Sequence, residues 1–222
     1  RTLTERGGLV GNPDWCTAVH AAIDHRPDAW KNITGEEGAL HALDFCRGVQ
    51  SFLSSHPSHV LIMDGGEIGQ WSQANLDNER RITNGVAGSI GAATPFALAA
   101  RVAEQNDPVL TIMGDGTFGF HMAEFDTAVR NDIPFVAVVG NDACWNAEHQ
   151  IQIRDYGENR AHGCELLPAR YDKVVEAMGG HGELVTRAED VAEAIERAYA
   201  SGKPACVNVM IQSVAAPIVR RS

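Results

Sequence analysis

Gly114-Asp115-Gly116-Thr117 ends one apolar run, and Asn141-Asp142 ends the next. Between them the chain has room for one helix, about Met122 to Arg130, and one strand. A strand–helix–strand unit of that kind returns both chain ends to the same edge of a parallel sheet. Asp115 and Asp142 therefore come to lie on neighbouring strands. Two carboxylates, a loop carbonyl and glycine amides that can approach phosphate oxygens suit Mg²⁺ bridging a diphosphate, because a hard cation takes oxygen ligands and keeps part of its shell for phosphate and water. Taken alone, Gly-Asp-Gly is equally well a plain turn after a strand.

The elements that must position this pair are visible as short runs that are apolar throughout. His59–Met63, Val109–Met113, Phe135–Val139 and Cys206–Met210 do not alternate, which is the pattern of strands buried on both faces of a parallel sheet. Ser89 to Glu104, rich in Ala, predicts a buried helix, and Tyr171 to Met178 a shorter one stopped by Gly179-Gly180. Ala188 to Ala200 places Val191, Ala194, Ile195, Ala198 and Tyr199 on one helical face, with Thr186 and Glu189 as a capping box and Gly202 past its end. Strand–helix alternation predicts an α/β fold with a doubly wound, mainly parallel sheet and helices on both faces, whose ligands bind beyond the carboxyl ends of the strands. The first 38 residues differ: a helix from Pro13 to about Asp24, then Pro27, Trp30 and the linker-like Thr34–Gly38. The expected division is 1–38 and 39–222.

Composition narrows the partners. The 222 residues carry a net charge of −11, which disfavours nucleic acid and anionic membrane surfaces. No apolar run approaches the ~18 residues of a membrane span. The five cysteines are scattered, with no C-x-x-C pair, so neither a disulfide scaffold nor a zinc cage is expected, and a reducing, cytoplasmic setting is. A Rossmann-type NAD enzyme is disfavoured because G-x-G-x-x-G is missing from the strand–helix turns. The chain opens on Arg1, which leaves a processed product or a fragment of a longer protein open.

The wider pattern resembles the pyrophosphate-binding domain of thiamine-diphosphate-dependent enzymes, in the group of acetolactate synthase, benzaldehyde lyase and 2-hydroxyacyl-CoA lyase. Gly-Asp-Gly followed by Asn-Asp is similar to the group's diphosphate motif. Gly88-Ser89-Ile90-Gly91 with Pro95 resembles its G-[ST]-M-G…P segment, Glu124–Arg130 the helix between the metal loops, and Lys203–Val209 the final strand. The likeness covers about residues 39 to 222, and 1–38 look like the last helix and exit linker of a preceding domain. It implies thiamine diphosphate and Mg²⁺ as cofactors, with Asp115, Asp142 and the carbonyl of Cys144 on the metal and Gly114, Gly116 and Thr117 on the diphosphate. Ile90 stands where a bulky side chain props the bent cofactor, Gly88 where a carbonyl accepts from the aminopyrimidine, with Ser89 between them. Asp64-Gly65-Gly66-Glu67 resembles a second diphosphate-contacting turn, and Trp145 and Asn146 follow the second metal loop where the group lines its pocket.

The sequence also departs from the group. Asp142 replaces the usual Asn and adds negative charge beside a polyanionic cofactor, which weakens its binding or calls for a nearby cation. Ile90 replaces Met, and Ile68-Gly69 lacks the Gln-His of acetolactate synthases, which puts that activity in doubt.

No segment resembles the pyrimidine-binding domain that carries the activating Glu of these enzymes, so no catalytic residue is assigned within this chain. The expected partner is that domain, as the protein's own N-terminal part or a separate subunit, in a homodimer or tetramer of the complete unit. The function implied is the cofactor-binding part of a lyase, decarboxylase or carboligase acting on 2-keto acids, 2-hydroxy ketones or 2-hydroxyacyl-CoAs. The alternative is a non-catalytic assembly domain that keeps the fold. His121 is open to a substrate-facing or a structural role, His149 is a weaker pocket candidate than Asn146, the Cys144 thiol is incidental without a partner base, and His162 with Cys164 is too sparse for zinc.

Overall fold

The computed structural model describes residues 12–85 and 87–218. Residues 1–11, 86 and 219–222, which hold the outer ends of both expected segments, lie outside the described residues. The described residues up to Asn32 belong to one compact unit and Ile33–Ile218 to another. In the first, α1 (Pro13–Ile23) starts where the sequence places it: Asn12 Oδ1 accepts from the amides of Asp14 at 3.0 Å and Trp15 at 3.2 Å, and proline occupies the first turn. A 3₁₀ turn, Asp28–Asn32, follows.

The second unit runs α2 (Ala42–Ser55), β1 (Val60–Met63), α3 (Gly66–Asn75), β2 (Arg81–Thr83), α4 (Ala93–Ala103), β3 (Val109–Gly114), α5 (Asp115–His121), α6 (Glu124–Arg130), β4 (Val136–Asn141), α7 (Asn146–Tyr156), α8 (Tyr171–Ala177), β5 (His181–Val185), α9 (Val191–Ala200) and β6 (Ala205–Met210). The strands form one parallel sheet in the order β2-β1-β3-β4-β6-β5. The four expected runs form its four central strands, buried on both faces. Val60, Ile62, Met113, Ala137 and Val139 pack with Ala97 of α4, Phe118 of α5, Phe125 of α6 and Val175 of α8. On the other face, α2 packs against α3 and α9, with Phe45, Val49, Leu53, Val191 and Ile195 all buried. This is the doubly wound arrangement that the sequence predicts.

Two expected helix starts are corrected. Ser89 to Ala92 is not helical, because Gly88 and Gly91 have φ of +66° and +93°, and α4 begins only at Ala93. Buried Asp64, at the end of β1, serves that start from outside: its Oδ2 accepts from Gly91 N at 3.1 Å and Ala93 N at 2.8 Å. The Thr186/Glu189 capping box does not form. A 3₁₀ turn, Ala188–Asp190, precedes α9, and Glu189 pairs with Arg187 instead.

Thr34–Gly38, read as linker, is tied to its surroundings: Glu36 bridges Ala39, Gly35 N donates to Asp44 Oδ2 at 2.6 Å, and Leu40 pairs in parallel with Ile211. Among the described residues no helix is long and apolar enough to cross a membrane, and the cysteines are free thiols.

Candidate cofactor site

The parallel pairing of β3 with β4 sets Gly114 opposite Gly140, so the chain leaves both strands side by side. Asp115 opens α5 directly after β3, and Asp142 follows directly after β4. Between these ends lies an open cleft. Of the residues expected at the site, Gly66, Glu67, Ile90, Gly114, Asp115, Gly116, Thr117, Asp142, Cys144, Trp145 and Asn146 line it. Gly88 and Ser89 lie outside the lining. Ile68, Gly140, Ala147, Glu148 and Ile211, which the sequence reading did not name as site residues, complete it. The recurrence of Gly at the ends of both β3 and β4 was the available signal for Gly140; Ile211 simply continues β6.

Asp115 is 1% exposed. Its Oδ1 accepts from Gly116 N at 2.8 Å, while its Oδ2 is buried without a hydrogen-bond partner. Burial pushes this carboxyl up to about 6, against the pull of the amides of Gly116, Asp115 itself, Cys144 and Ala143. Asp142 is pushed up to about 7, first by burial and then by the charge of Asp115, with the Cys144 amide and the Asn146 side chain pulling the other way. Two carboxyls so placed favour a proton or a cation over mutual ionisation. The lining also holds Glu67 and Glu148 and, among the described residues, no Lys, Arg or His. Burial raises Glu67, and the charge of Glu148 adds to the effect.

The donor set fits a hard divalent cation on two counts: an orphaned buried carboxylate oxygen, and a second carboxylate beside it held at high energy when ionised. Cys144 bridges Glu165 through bonds made by its neighbours, Trp145 N to Cys164 O at 2.7 Å and Leu166 N to Ala143 O at 2.7 Å, which leaves the Cys144 carbonyl out of the bridge. Among the described residues no three His, Cys, Asp or Glu side chains group as a metal site.

The remaining candidates resolve from their partners. His121 Nδ1 lies 2.7 Å from Gly91 O and so fastens the turn that carries Ile90. That turn seats Ile90 over Gly65, with Cγ2 only 2.6 Å from where a Cβ on residue 65 would stand. Asn146 donates to Val214 O at 2.9 Å and accepts from Gln150 at 3.0 Å. Cys144 Sγ has His149 Nδ1 at 3.4 Å, the partner the sequence did not reveal, yet burial holds the thiol at about 11, and it stays protonated at neutral pH.

The family described as "Thiamine pyrophosphate enzyme, C-terminal TPP binding domain" matches residues 64–209. The chain belongs to this family. Among curated proteins it is similar to a probable acetolactate synthase of Mycobacterium bovis, 40% identical over 168 residues, which is 73% of this chain and 30% of that protein. It is also similar to 2-hydroxyacyl-CoA lyase 2 of Homo sapiens, 30% identical over 217 residues, 92% of this chain and 34% of that protein. The same lyase of Danio rerio is 33% identical over 184 residues, covering 79% and 29%. The chain thus spans about a third of the length of these relatives.

Proposed function

We propose that this chain is the Mg²⁺- and thiamine-diphosphate-binding part of a C–C bond lyase, decarboxylase or carboligase that acts on 2-keto acids, 2-hydroxy ketones or 2-hydroxyacyl-CoAs in the cytoplasm. The observation that carries the reading is the Asp115 carboxylate, buried with one oxygen unpartnered in a cleft lined by further carboxylates and no basic side chain. Asp115, Asp142 and the Cys144 carbonyl would hold the cation, which supplies the positive charge that the lining lacks. Gly114, Gly116, Thr117 and the Gly66-Glu67 turn would take the diphosphate, with Gly88, Ser89 and Ile90 setting the tilt of the rings and Trp145 and Asn146 bordering the substrate. Bound thiamine diphosphate supplies the carbon nucleophile and the electron sink. This chain's own residues bind, orient and desolvate.

The proton relay that activates the cofactor is assigned to a Glu on a pyrimidine-binding domain, with residues 1–38 as the end of a preceding domain plus linker. The complete unit would then be a homodimer or tetramer. The test is calorimetric titration of thiamine diphosphate with Mg²⁺ into the unit reconstituted with that domain. Wild-type protein should bind and Asp115→Ala should not. Equal affinity in both would remove Asp115 from the site, and no binding by either would favour an assembly domain that merely keeps the fold.

A further inference from the structure

Ala143, between Asp142 and Cys144, has φ of +54°, in the left-handed region that costs a residue with a Cβ about 1–2 kcal/mol. Something must hold it there, and the structure shows what does. Its carbonyl accepts from Leu166 N at 2.7 Å, and its amide donates to Asn141 Oδ1 at 3.2 Å. Asn141 can offer that oxygen because its NH₂ is committed elsewhere, to Ala169 O at 2.9 Å and Asn208 Oδ1 at 3.1 Å. Asn208, inside β6, is oriented in turn: its NH₂ donates to Ala169 O at 3.1 Å and Asp172 Oδ1 at 3.4 Å. Asp172 is clamped by Arg170, with Nε at 2.9 Å from Oδ1 and Nη2 at 2.6 Å from Oδ2. Asn141 and Asn208 are fully buried and Asp172 is 1% exposed. Burial alone would raise the Asp172 carboxyl, but the Arg170 guanidinium and the Asn208 amide outweigh it, and the group sits below the usual carboxylate value.

The direction of these bonds matters more than their number. A carboxylate and a carbonyl only accept, so Asp172 and the Ala169 carbonyl together dictate which end of the Asn208 amide faces them; Asn208 and the same carbonyl set the orientation of Asn141, and Asn141 that of Ala143. Reversing any amide would set donor against donor along a buried line, where an unmade bond costs far more than it does in water. A polar residue in a strand whose neighbours Val207 and Val209 are fully buried is expensive unless it is hydrogen-bonded, and the bonds of Asn208 to Asn141, Ala169 and Asp172 meet that need.

We infer that Arg170, Asp172 and Asn208 are positioning residues for the second metal loop: a buried chain of oriented hydrogen bonds that starts at Arg170 and fixes the left-handed turn presenting Asp142 and the Cys144 carbonyl. The inference rests on the cation site proposed above, and its effect falls on the geometry of that site. Arg170 is not among the residues lining the cleft and its side chain is 48% exposed, so it can be changed without cutting into the core.

The experiment uses the 222-residue chain with Mn²⁺ as the probe and two readouts: hydrogen exchange of the Ala143 amide by NMR, and Mn²⁺ affinity by electron paramagnetic resonance. Arg170→Ala should speed exchange at Ala143 and weaken Mn²⁺ binding, each by about tenfold, as loss of an outer-shell partner does elsewhere. Arg170→Lys should recover most of both. Asn208→Leu should match or exceed Arg170→Ala, and the double variant should add little to the worse single one, because the groups act in series. Arg130→Ala, which breaks an exposed pair with Asp126, should move neither readout. Wild-type exchange and Mn²⁺ affinity in folded Arg170→Ala would overturn the inference. If Asn208→Leu does not fold, Arg170→Ala and its lysine rescue still decide. If wild-type chain binds no Mn²⁺, the cation-site reading fails, and exchange at Ala143 alone upholds or overturns the relay.

Discussion

Asp142→Asn should stabilise the metal-free protein, and by an amount that grows with pH. The native carboxyl sits at about 7 against an ordinary 3.8. Its proton is therefore held more tightly in the folded chain than in the unfolded one. A group of this sign adds no penalty below its unfolded pKa, and stability is lost as pH rises through the interval between the two values, here from about 4 to about 7. Each pKa unit is worth about 1.4 kcal/mol, so the full interval amounts to on the order of 4 kcal/mol, or about 3 once the solvent still reaching the carboxylate is allowed for. Asn keeps the shape and an acceptor oxygen but carries no charge. In EDTA, urea unfolding should show the variant ahead of the parent by about 1 kcal/mol at pH 5 and about 3 at pH 8.

Saturating Mg²⁺ should close most of that gap, because a cation bound there would offset in the parent the buried charge, and its repulsion by Asp115, that the amide removes in the variant. The family's usual residue at this position is Asn, so the variant should still bind the cation through its amide oxygen. Equal stability of the two proteins at pH 8 in EDTA, or a variant weaker than the parent at every pH, would refute the reasoning, since either result means that the buried Asp142 charge does not strain the folded chain.

Ile90→Ala should lower turnover of the complete enzyme by about a hundredfold while costing only about 1 kcal/mol in thermal unfolding, because a misplaced cofactor ring loses rate steeply; wild-type turnover would make Ile90 ordinary packing. Asp64→Ala should cost about 2–4 kcal/mol in urea unfolding, since it orphans the amides of Gly91 and Ala93 at the start of α4, and a cost below 1 kcal/mol would show that the start does not depend on that carboxylate. The isolated chain, given thiamine diphosphate and Mg²⁺, should not turn over pyruvate, benzoin or a 2-hydroxyacyl-CoA. Robust turnover would place the activating base within these 222 residues.

The four central strands were legible because burial on both faces leaves only apolar residues to read. The outer strands were not, for the same physical reason in reverse. Arg81-Ile82-Thr83 and His181–Val185 lie at the sheet edges, where charged and polar side chains meet solvent, and no apolar run marks them. The helix α2 was legible from its stripe of Leu43, Cys46, Val49, Phe52 and Leu53, though the sequence reading did not name it; what no sequence rule offered was its cap, His41, whose Nδ1 accepts from Leu43 N at 3.1 Å and whose imidazole pKa burial lowers. The polar helix α7 buries only Asn146 and so shows no apolar stripe.

In the site, Asp115 and Asp142 could be paired from topology alone. Asp64, Asn208 and Asp172 could not, because each acts on a segment remote in sequence. Spacing along one chain carries no trace of which amide a buried carboxylate will meet.

That difference bears on how the cleft would work. Its acidic lining makes a diphosphate an unwelcome guest until a cation is present, and an Asp rather than an Asn at 142 sharpens the conflict. On the proposed reading, the second carboxylate would strengthen the hold on the cation and, with the cation gone, would strengthen the repulsion of phosphate. Binding free energies are reciprocal, so whatever the cation adds to diphosphate affinity, the diphosphate must add to cation affinity. Such a site gains from a rigid second loop, because a carboxylate free to swing into solvent would relax the repulsion and dilute the coupling. The buried line from Arg170 to Ala143 denies it that freedom. If the proposed cation site holds, the charge at 142 and the polar chain behind it would be two parts of one arrangement, in which the cation and the phosphates would have to arrive together or bind weakly.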